Sequence, residues 1–267
     1  MKKDFLPLSL ADADAPLVET LSVLGECAFR SRRRILRCAA AAGLMASSPL
    51  RALTCPIIPS ETDGPFPADG TNGPNVLTES GILRSDIRTS FGSAGSAVAR
   101  GTPVTMTLEL VDPDNGCALL TRRAVYLWHC DASGGYSMYS PGITNQNYLR
   151  GVQVTDARGQ VTFTSIYPAC YGGRWPHMHF EVYANIAEAI SGAKAIKTSQ
   201  LAMPDSTSRA VYAQTELYPS SASNFNRSSL ANDDVFGDDK GILQIPRVTG
   251  SVASGYAFNL SAGIRLR

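Results

Sequence analysis

Two of the three histidines in this chain stand one residue apart, at His177 and His179. Successive side chains of a β-strand point to opposite faces of a sheet, so residues i and i+2 share a face. Apolar and polar residues alternate across 177–183, which places both imidazoles on one strand face. A tyrosine and an arginine lie just upstream, at Tyr171 and Arg174. This combination is typical of half of a metal site.

The pair is also compatible with two hydrogen-bonded polar residues at the edge of a core. The third histidine, His129, lies in another alternating segment that ends in a glycine turn, so every histidine falls within a strand-and-turn motif. Because no histidine lies outside such a motif, the metal interpretation is favoured. One alternative is a zinc hydrolase that binds its metal through His129, His177 and His179. The sequence offers no general base placed beside these three residues.

Composition limits the class of protein. A chain of 267 residues with 44% hydrophobic content can bury a full core in one main domain. Its 24 basic and 23 acidic residues leave a net charge of +1, which gives no electrostatic reason to expect nucleic acid as a partner. No apolar run reaches the roughly 18 residues of a membrane span. We expect a small or neutral partner and no membrane span in the mature protein. The composition is also compatible with an oligomer.

Residues 1–54 differ from the rest of the chain. Arg32, Arg33 and Arg34 precede a short, weakly hydrophobic, alanine-rich stretch at 38–46. Paired arginines before such a stretch predict a twin-arginine export signal, and therefore a periplasmic or secreted protein whose domain spans 55–267. The alternative is an amphipathic N-terminal helix that docks on the domain of a cytoplasmic protein.

The six cysteines support either of two interpretations. Two lie in the predicted leader, and four remain, which allow three pairings that the sequence does not distinguish. They are compatible with two disulfides in an oxidising compartment, or with free buried thiols. CxxC spacing is missing, so a zinc knuckle is not expected. The leader pair is Cys27 and Cys38, and the four are Cys55, Cys117, Cys130 and Cys170.

The domain reads as short strands separated by Gly and Pro turns. This pattern predicts an all-β fold, an antiparallel β-sandwich with long loops and few short helices. The predicted strands are 103–112, 124–131, 151–156, 160–165, 177–183, 255–260 and 263–266. Residues 186–195 and 208–217 are predicted to be short helices. Residues 220–239 are polar and are predicted to be a long surface loop.

Several motifs in 60–183 occur in a specific order and spacing. They are Glu61-Thr62-Asp63-Gly64-Pro65-Phe66, Leu83-Arg84-Ser85-Asp86-Ile87, Trp128-His129-Cys130-Asp131-Ala132, Gly135-Tyr136-Ser137, Tyr148-Leu149-Arg150-Gly151, Thr155-Asp156 with Gly159, Pro168-Ala169-Cys170-Tyr171-Gly172-Gly173-Arg174, and His177-Met178-His179. Together they resemble the intradiol ring-cleavage dioxygenases, the non-haem Fe(III) enzymes that include protocatechuate 3,4-dioxygenase and catechol 1,2-dioxygenase.

The resemblance implies a ligand set. Two tyrosines and two histidines bind iron in that family, and they match Tyr136, Tyr171, His177 and His179. The family's active-site arginine, three residues before the first histidine, matches Arg174. Oxygen anions suit a hard cation such as Fe(III), and coordination favours the deprotonated form of a tyrosine whose free pKa is about 10.

The resemblance also implies a reaction. A catechol loses two protons on binding, and Tyr171 is the ligand expected to be released and to accept one of them, while Tyr136 is retained. Arg174 is expected to stabilise the negative charge that develops as the ring reacts with O₂. The expected product is a cis,cis-muconate-type diacid. A different class of function, a non-catalytic β-sandwich binding module that retains the dioxygenase frame, is the main alternative.

Each assignment has a competing interpretation. Tyr139 competes with Tyr136 as the ligand near the turn, and Tyr171 is compatible with an ordinary turn residue. Arg174 is compatible with a simple ion pair. His129 is expected to be a supporting or core histidine, because the ligand set already contains an anionic tyrosine.

The chain departs from the best-known members of the family. The loop between Tyr171 and Arg174 is only Gly172-Gly173, which resembles a compact branch. The stretch before 103 is too short for the helical dimerisation domain of catechol 1,2-dioxygenases. The resemblance implies an auxiliary glutamine beyond the histidine pair; Gln200 is the nearest, and nothing around it in the sequence supports that role. The identity of the catechol therefore stays open.

Overall fold

The computed structural model of the chain describes residues 54–266. The predicted leader and its boundary with the domain lie outside these residues, apart from Thr54. Within 54–266 the chain forms nine strands. They are β1 Pro103–Asp112, β2 Ala118–Leu119, β3 Ala124–Trp128, β4 Arg150–Val154, β5 Gln160–Ile166, β6 His177–Tyr183, β7 Lys197–Ala202, β8 Arg247–Ser251 and β9 Gly255–Gly263.

Helices are few and short in the described part of the chain. The α-helices are α1 Ile186–Ile190, α2 Asp205–Tyr212 and α3 Ser221–Phe225. Single 3₁₀ turns occur at Gly92–Ala94, Pro113–Asn115 and Leu230–Asn232. No helix within 54–266 is long and apolar enough to cross a membrane.

The strands form two sheets, which confirms the predicted all-β sandwich. In the first sheet the order is β2-β1-β9-β8, and β5 also pairs with β1. In the second it is β4-β3-β6-β7, with every pair antiparallel. One pair departs from the antiparallel expectation, because β1 and β9 run parallel, with Val104 opposite Tyr256. A parallel pair needs a long connection, and the chain between the end of β1 and the start of β9 contains the seven other strands of the described residues.

Burial follows the strand alternation and shows where a site can form. β1 alternates between buried and partly exposed residues, as expected for a sheet with one face on the core. β6 is buried along its whole length. Its apolar face, Met178, Phe180 and Val182, belongs to the single hydrophobic cluster of the domain. The face that carries both histidines is therefore covered by other parts of the chain.

The strand predictions for 103–112 and 177–183 are confirmed at both ends. The strand predicted at 124–131 ends at Trp128, and the one predicted at 255–260 continues to Gly263 as β9. The prediction of a separate strand at 263–266 is wrong, because 264–266 are not in a strand. The helix predicted at 186–195 is only five residues long, and the one predicted at 208–217 begins three residues earlier, at Asp205. β7 and β8 were not predicted, because their alternation is weak and their pairing partners supply most of the order.

The prediction that 220–239 is a surface loop is wrong. The segment contains α3 and a 3₁₀ turn, and it buries Phe225, Asp233 and Phe236. Two aromatic side chains anchor an otherwise polar stretch, and packing of this kind overrides local composition.

The cysteines of the domain behave in both of the ways considered. Cys55 and Cys117 form a disulfide with a sequence separation of 62 residues. Cys130 and Cys170 are free and buried. The disulfide joins the start of the domain to the turn between β1 and β2.

Candidate metal centre

The two histidines of β6 are held in place by a backbone carbonyl just before β6 and by a side chain of the adjacent strand β3. The Nδ1 of His177 lies 2.6 Å from the backbone carbonyl of Trp175, which can only accept a hydrogen bond. The proton of a neutral His177 therefore sits on Nδ1, and Nε2 keeps a free lone pair. His179 is opposite Trp128 of β3 and stacks on its indole, with ring centroids 4.9 Å apart and planes 9° apart.

The two tyrosines come from turns that face this strand. Tyr136 follows a tight turn in which Asp131 accepts hydrogen bonds from the backbone N–H groups of Ser133 and Gly135. Tyr171 follows β5. Gly134, with φ of +90°, lets the two turns approach closely, since a Cβ at this position would lie 3.3 Å from the Cβ of Tyr171.

Four donor atoms converge between these elements. Tyr136 Oη lies 3.2 Å from His179 Nε2 and 3.4 Å from Tyr171 Oη. Tyr171 Oη lies 2.9 Å from His177 Nε2. Donors bound about 2.1 Å from one ion in tetrahedral or octahedral positions are about 3.0–3.4 Å apart. The three distances fit both hydrogen bonds between these side chains and ligands around a single metal ion.

Burial shapes the protonation of these groups. It raises the pKa of Tyr171 to about 12 and that of Tyr136 well above its usual value. It lowers the pKa of His177 to about 3 and that of His179 well below its usual value. A cation between the four atoms would stabilise two tyrosinates, and the histidines are already in the neutral form that binds metal. The residues present fit a hard ion such as Fe(III).

Arg174 lies beside this cluster and is fixed by two side chains. Its Nε donates to Asp233 Oδ2 at 2.9 Å, and its Nη2 donates to Gln200 Oε1 at 2.8 Å. Sequence reasoning gave Gln200 no role, yet strand pairing places it directly opposite His179. Asp233 was missed as well, because it lies in the segment interpreted as a surface loop.

The segment 61–66 covers His179. A Cβ at Gly64 would lie 3.4 Å from His179 Cε1, so the backbone of this segment runs directly over the imidazole. Phe66 packs against Tyr136, with ring centroids 5.1 Å apart. Thr62 accepts a hydrogen bond at its carbonyl from Gln200 Nε2.

Two competing assignments do not match this geometry. Tyr139 points its hydroxyl at the side chain of Asn72 and the backbone N–H of Ala68, so Tyr136 is the tyrosine that meets the histidines. His129 bonds Ser165 Oγ at 2.7 Å and a backbone carbonyl at 2.8 Å, as expected of a core histidine. Within 54–266 no three His, Cys, Asp or Glu side chains form a group that could hold a metal ion, so the three-histidine zinc site is not assembled.

Comparison with known proteins points to dioxygenases. A family model described as Dioxygenase matches residues 88–191, which include all four donor residues and Arg174. Chlorocatechol 1,2-dioxygenase of Rhodococcus opacus is 29% identical over 98 residues, which are 33% of this chain and 38% of that protein. The present chain thus matches well under half the length of this relative.

Two solved structures match over more of the fold. An intradiol ring-cleavage dioxygenase from Tetranychus urticae is 26% identical, covers 79% of this chain and 95% of its own, and superposes with a TM-score of 0.61. A second solved dioxygenase gives the same identity and coverage, with a TM-score of 0.62. Sequence motifs, fold and comparisons all indicate the intradiol ring-cleavage dioxygenase family.

Proposed function

We propose that the protein is a non-haem Fe(III) intradiol dioxygenase. It would use O₂ to cleave a catechol between its two hydroxylated carbons and release a cis,cis-muconate-type diacid. The observation that carries this proposal is the convergence of Tyr136 Oη, Tyr171 Oη, His177 Nε2 and His179 Nε2 at the spacing of metal ligands.

The four side chains have separable roles. When bound by Tyr136, Tyr171, His177 and His179, Fe(III) would supply Lewis-acid chemistry toward the catechol. His177 and His179 hold their positions through the Trp175 carbonyl and the Trp128 indole. Tyr136 is 3% exposed and is packed by Phe66, so it is suited to remain in place.

Tyr171 is suited to accept a proton from the incoming catechol at its Oη. Tyr171 is partly exposed, and the next two residues, Gly172 and Gly173, are exposed glycines at which an added Cβ would have no atom within 4 Å. Tyr171 is thus less enclosed than Tyr136, which is 3% exposed. This difference in enclosure supports the assignment of Tyr171 as the displaced ligand.

Arg174 supplies the positive charge. Its side chain is 17% exposed, so its charge acts across a medium less polar than water, where an ion stabilises a developing anion more strongly. No residue among those described identifies a particular substituent on the catechol ring. The substrate class is therefore catechol-type diols.

The test is a visible absorption spectrum of the purified protein with iron analysis, before and after anaerobic addition of catechol. Tyrosinate bound to Fe(III) absorbs visible light, so we expect a broad band that moves to longer wavelength when catechol binds. Tyr171→Phe should lose most of this band. Tyr139→Phe is the matched control, since Tyr139 lies nearby but bonds only Asn72 and Ala68, and it should keep the colour.

Two results would overturn the proposal. A Tyr171→Phe protein that keeps the full band would remove Tyr171 from the ligand set. A wild-type protein that is colourless, takes up no iron and yet unfolds at an unchanged temperature after chelation would point instead to a non-catalytic β-sandwich binding module.

The proposal includes export by the twin-arginine route. Arg32, Arg33 and Arg34 with the alanine-rich stretch support it, and a disulfide at the start of the domain suits an oxidising compartment. Replacing the three arginines with lysine should leave the protein in the cytoplasmic fraction of an expressing bacterium. Equal amounts of wild type and variant in the exported fraction would contradict this part.

A further inference from the structure

Asp233 is a buried carboxylate with an unusual set of partners. Its side chain is 0% exposed. One oxygen, Oδ2, accepts from Arg174 Nε at 2.9 Å and from the backbone N–H of Trp175 at 2.6 Å. The other accepts from the backbone N–H groups of Val235 and Phe236, at 2.9 and 3.0 Å. Every strong acceptor position of the carboxylate is therefore used.

These bonds keep Asp233 charged. Burial alone would raise its pKa, but the Arg174 guanidinium and the backbone donors outweigh burial and hold the pKa below its usual range. A buried ion pair with all of its hydrogen bonds made has a defined geometry, and the loss of either partner leaves an uncompensated charge.

Arg174 is consequently clamped at two of its three nitrogens. Asp233 holds Nε and Gln200 holds Nη2, and Gln200 is itself fully buried and bonded to Thr62. Nη1 makes no hydrogen bond to a protein group within 54–266, and the side chain keeps 17% exposure. The donors of Nη1 are thus the ones left for a bound molecule.

The same segment also braces the histidine pair. Phe236, three residues after Asp233, is fully buried. Its ring lies edge-on to His177, with centroids 6.4 Å apart, and under the Arg174 guanidinium at 5.8 Å. One polar segment near the C-terminus therefore contacts both Arg174 and a candidate iron ligand.

We propose that Asp233 is a positioning residue, which orients Arg174 so that Nη1 faces the reacting catechol. This inference rests on the proposed dioxygenase function. It assigns to the segment after α3 a part in the reaction, exerted through Arg174 and not by contact with the substrate.

The experiment is a double-mutant cycle on the iron-loaded full-length protein, with Asp233→Asn, Arg174→Gln and the two combined. We expect Asp233→Asn to lower kcat by about 10- to 100-fold, the effect of misplacing a group by about 1 Å, with a smaller change in KM. Combined with Arg174→Gln it should cause no further loss, since Asp233 acts only through Arg174. Asp233→Glu should recover part of the rate.

Controls separate positioning from general damage. Asp205→Asn removes the carboxylate of an exposed pair with Arg209 and should leave kcat unchanged. The iron content and visible band of Asp233→Asn should match those of the wild type, and its melting temperature shows whether it is folded under assay conditions. If Asp233→Asn does not fold, the cycle is run with Asp233→Glu.

The outcomes are distinct. Losses that multiply in the double variant, or an Asp233→Asn protein with wild-type kcat, would overturn the role of Asp233 and leave the proposed function standing. A wild-type protein that binds iron but cleaves no catechol would overturn the proposed function and this inference with it.

Discussion

The Cys55–Cys117 disulfide should dominate the stability of the domain. It closes a loop with a sequence separation of 62 residues. Loop-closure entropy for that length predicts that the bond destabilises the unfolded chain by about 4 kcal/mol. The folded state should change little when the bond is lost, because Ile58 stays bonded to Gly263 and Arg265 stays paired with Asp114. For a domain of this size, about 4 kcal/mol corresponds to a fall in melting temperature of roughly 10 °C.

The assay compares the wild type with a protein in which Cys55 and Cys117 are both serine, by thermal and urea unfolding with and without dithiothreitol. Reductant should lower the wild-type melting temperature to that of the variant. It should not affect the variant, because Cys130 and Cys170 are already free. A loss below about 1 kcal/mol, or an equal effect of reductant on both proteins, would refute the loop-entropy reasoning.

Two further predictions concern the site and its support. Gly64→Ala should destabilise the domain by about 1–2 kcal/mol, because its φ is +71°. It should also weaken the visible band, because the added methyl group would contact His179. Gly95→Ala is the control: its φ is +78° with open space around it, so it should destabilise the domain similarly and leave the band unchanged. Burial lowers the pKa of His129 to about 4, so the unfolded chain binds its proton first as the pH falls from about 6.5. The free energy of unfolding should therefore fall between pH 6.5 and 4, by up to about 1.4 kcal/mol per pH unit from this residue. In His129→Asn, the free energy of unfolding measured in urea should depend less on pH in that window. An unchanged dependence on pH would contradict this prediction.

The sequence was most informative where local pattern and chemistry coincide. Alternation alone predicts β1 and β6 with correct ends, because each has one continuous apolar face. The sequence points to the two converging histidines through their strand spacing, and to the two tyrosines only through the family resemblance. In the structure, His129 and Tyr139 make their hydrogen bonds away from this cluster.

What the sequence did not reveal depends on distant partners. Gln200 becomes part of the site only because β7 pairs with β6 and brings it opposite His179. Asp233 contacts Arg174 across 59 residues of chain, within a segment whose composition is that of a loop. The parallel pairing of β1 with β9 also follows from the path of the whole chain. No local window contains these relations.

The distribution of rigidity across the site bears on how it would work. His177 and His179 lie on a strand that is buried throughout, and Tyr136 is buried beneath Phe66. Tyr171 alone is partly exposed and is followed by two unhindered glycines. A metal ligand that must leave and take a proton needs this freedom, whereas the ligands that keep the metal in place need the opposite. The short Gly172-Gly173 loop, which departs from the better-known relatives, places Tyr171 three residues from the arginine that Asp233 holds. The proposed reaction needs an accessible proton acceptor at Tyr171 and a fixed charge at Arg174, and the two residues lie on opposite sides of that loop.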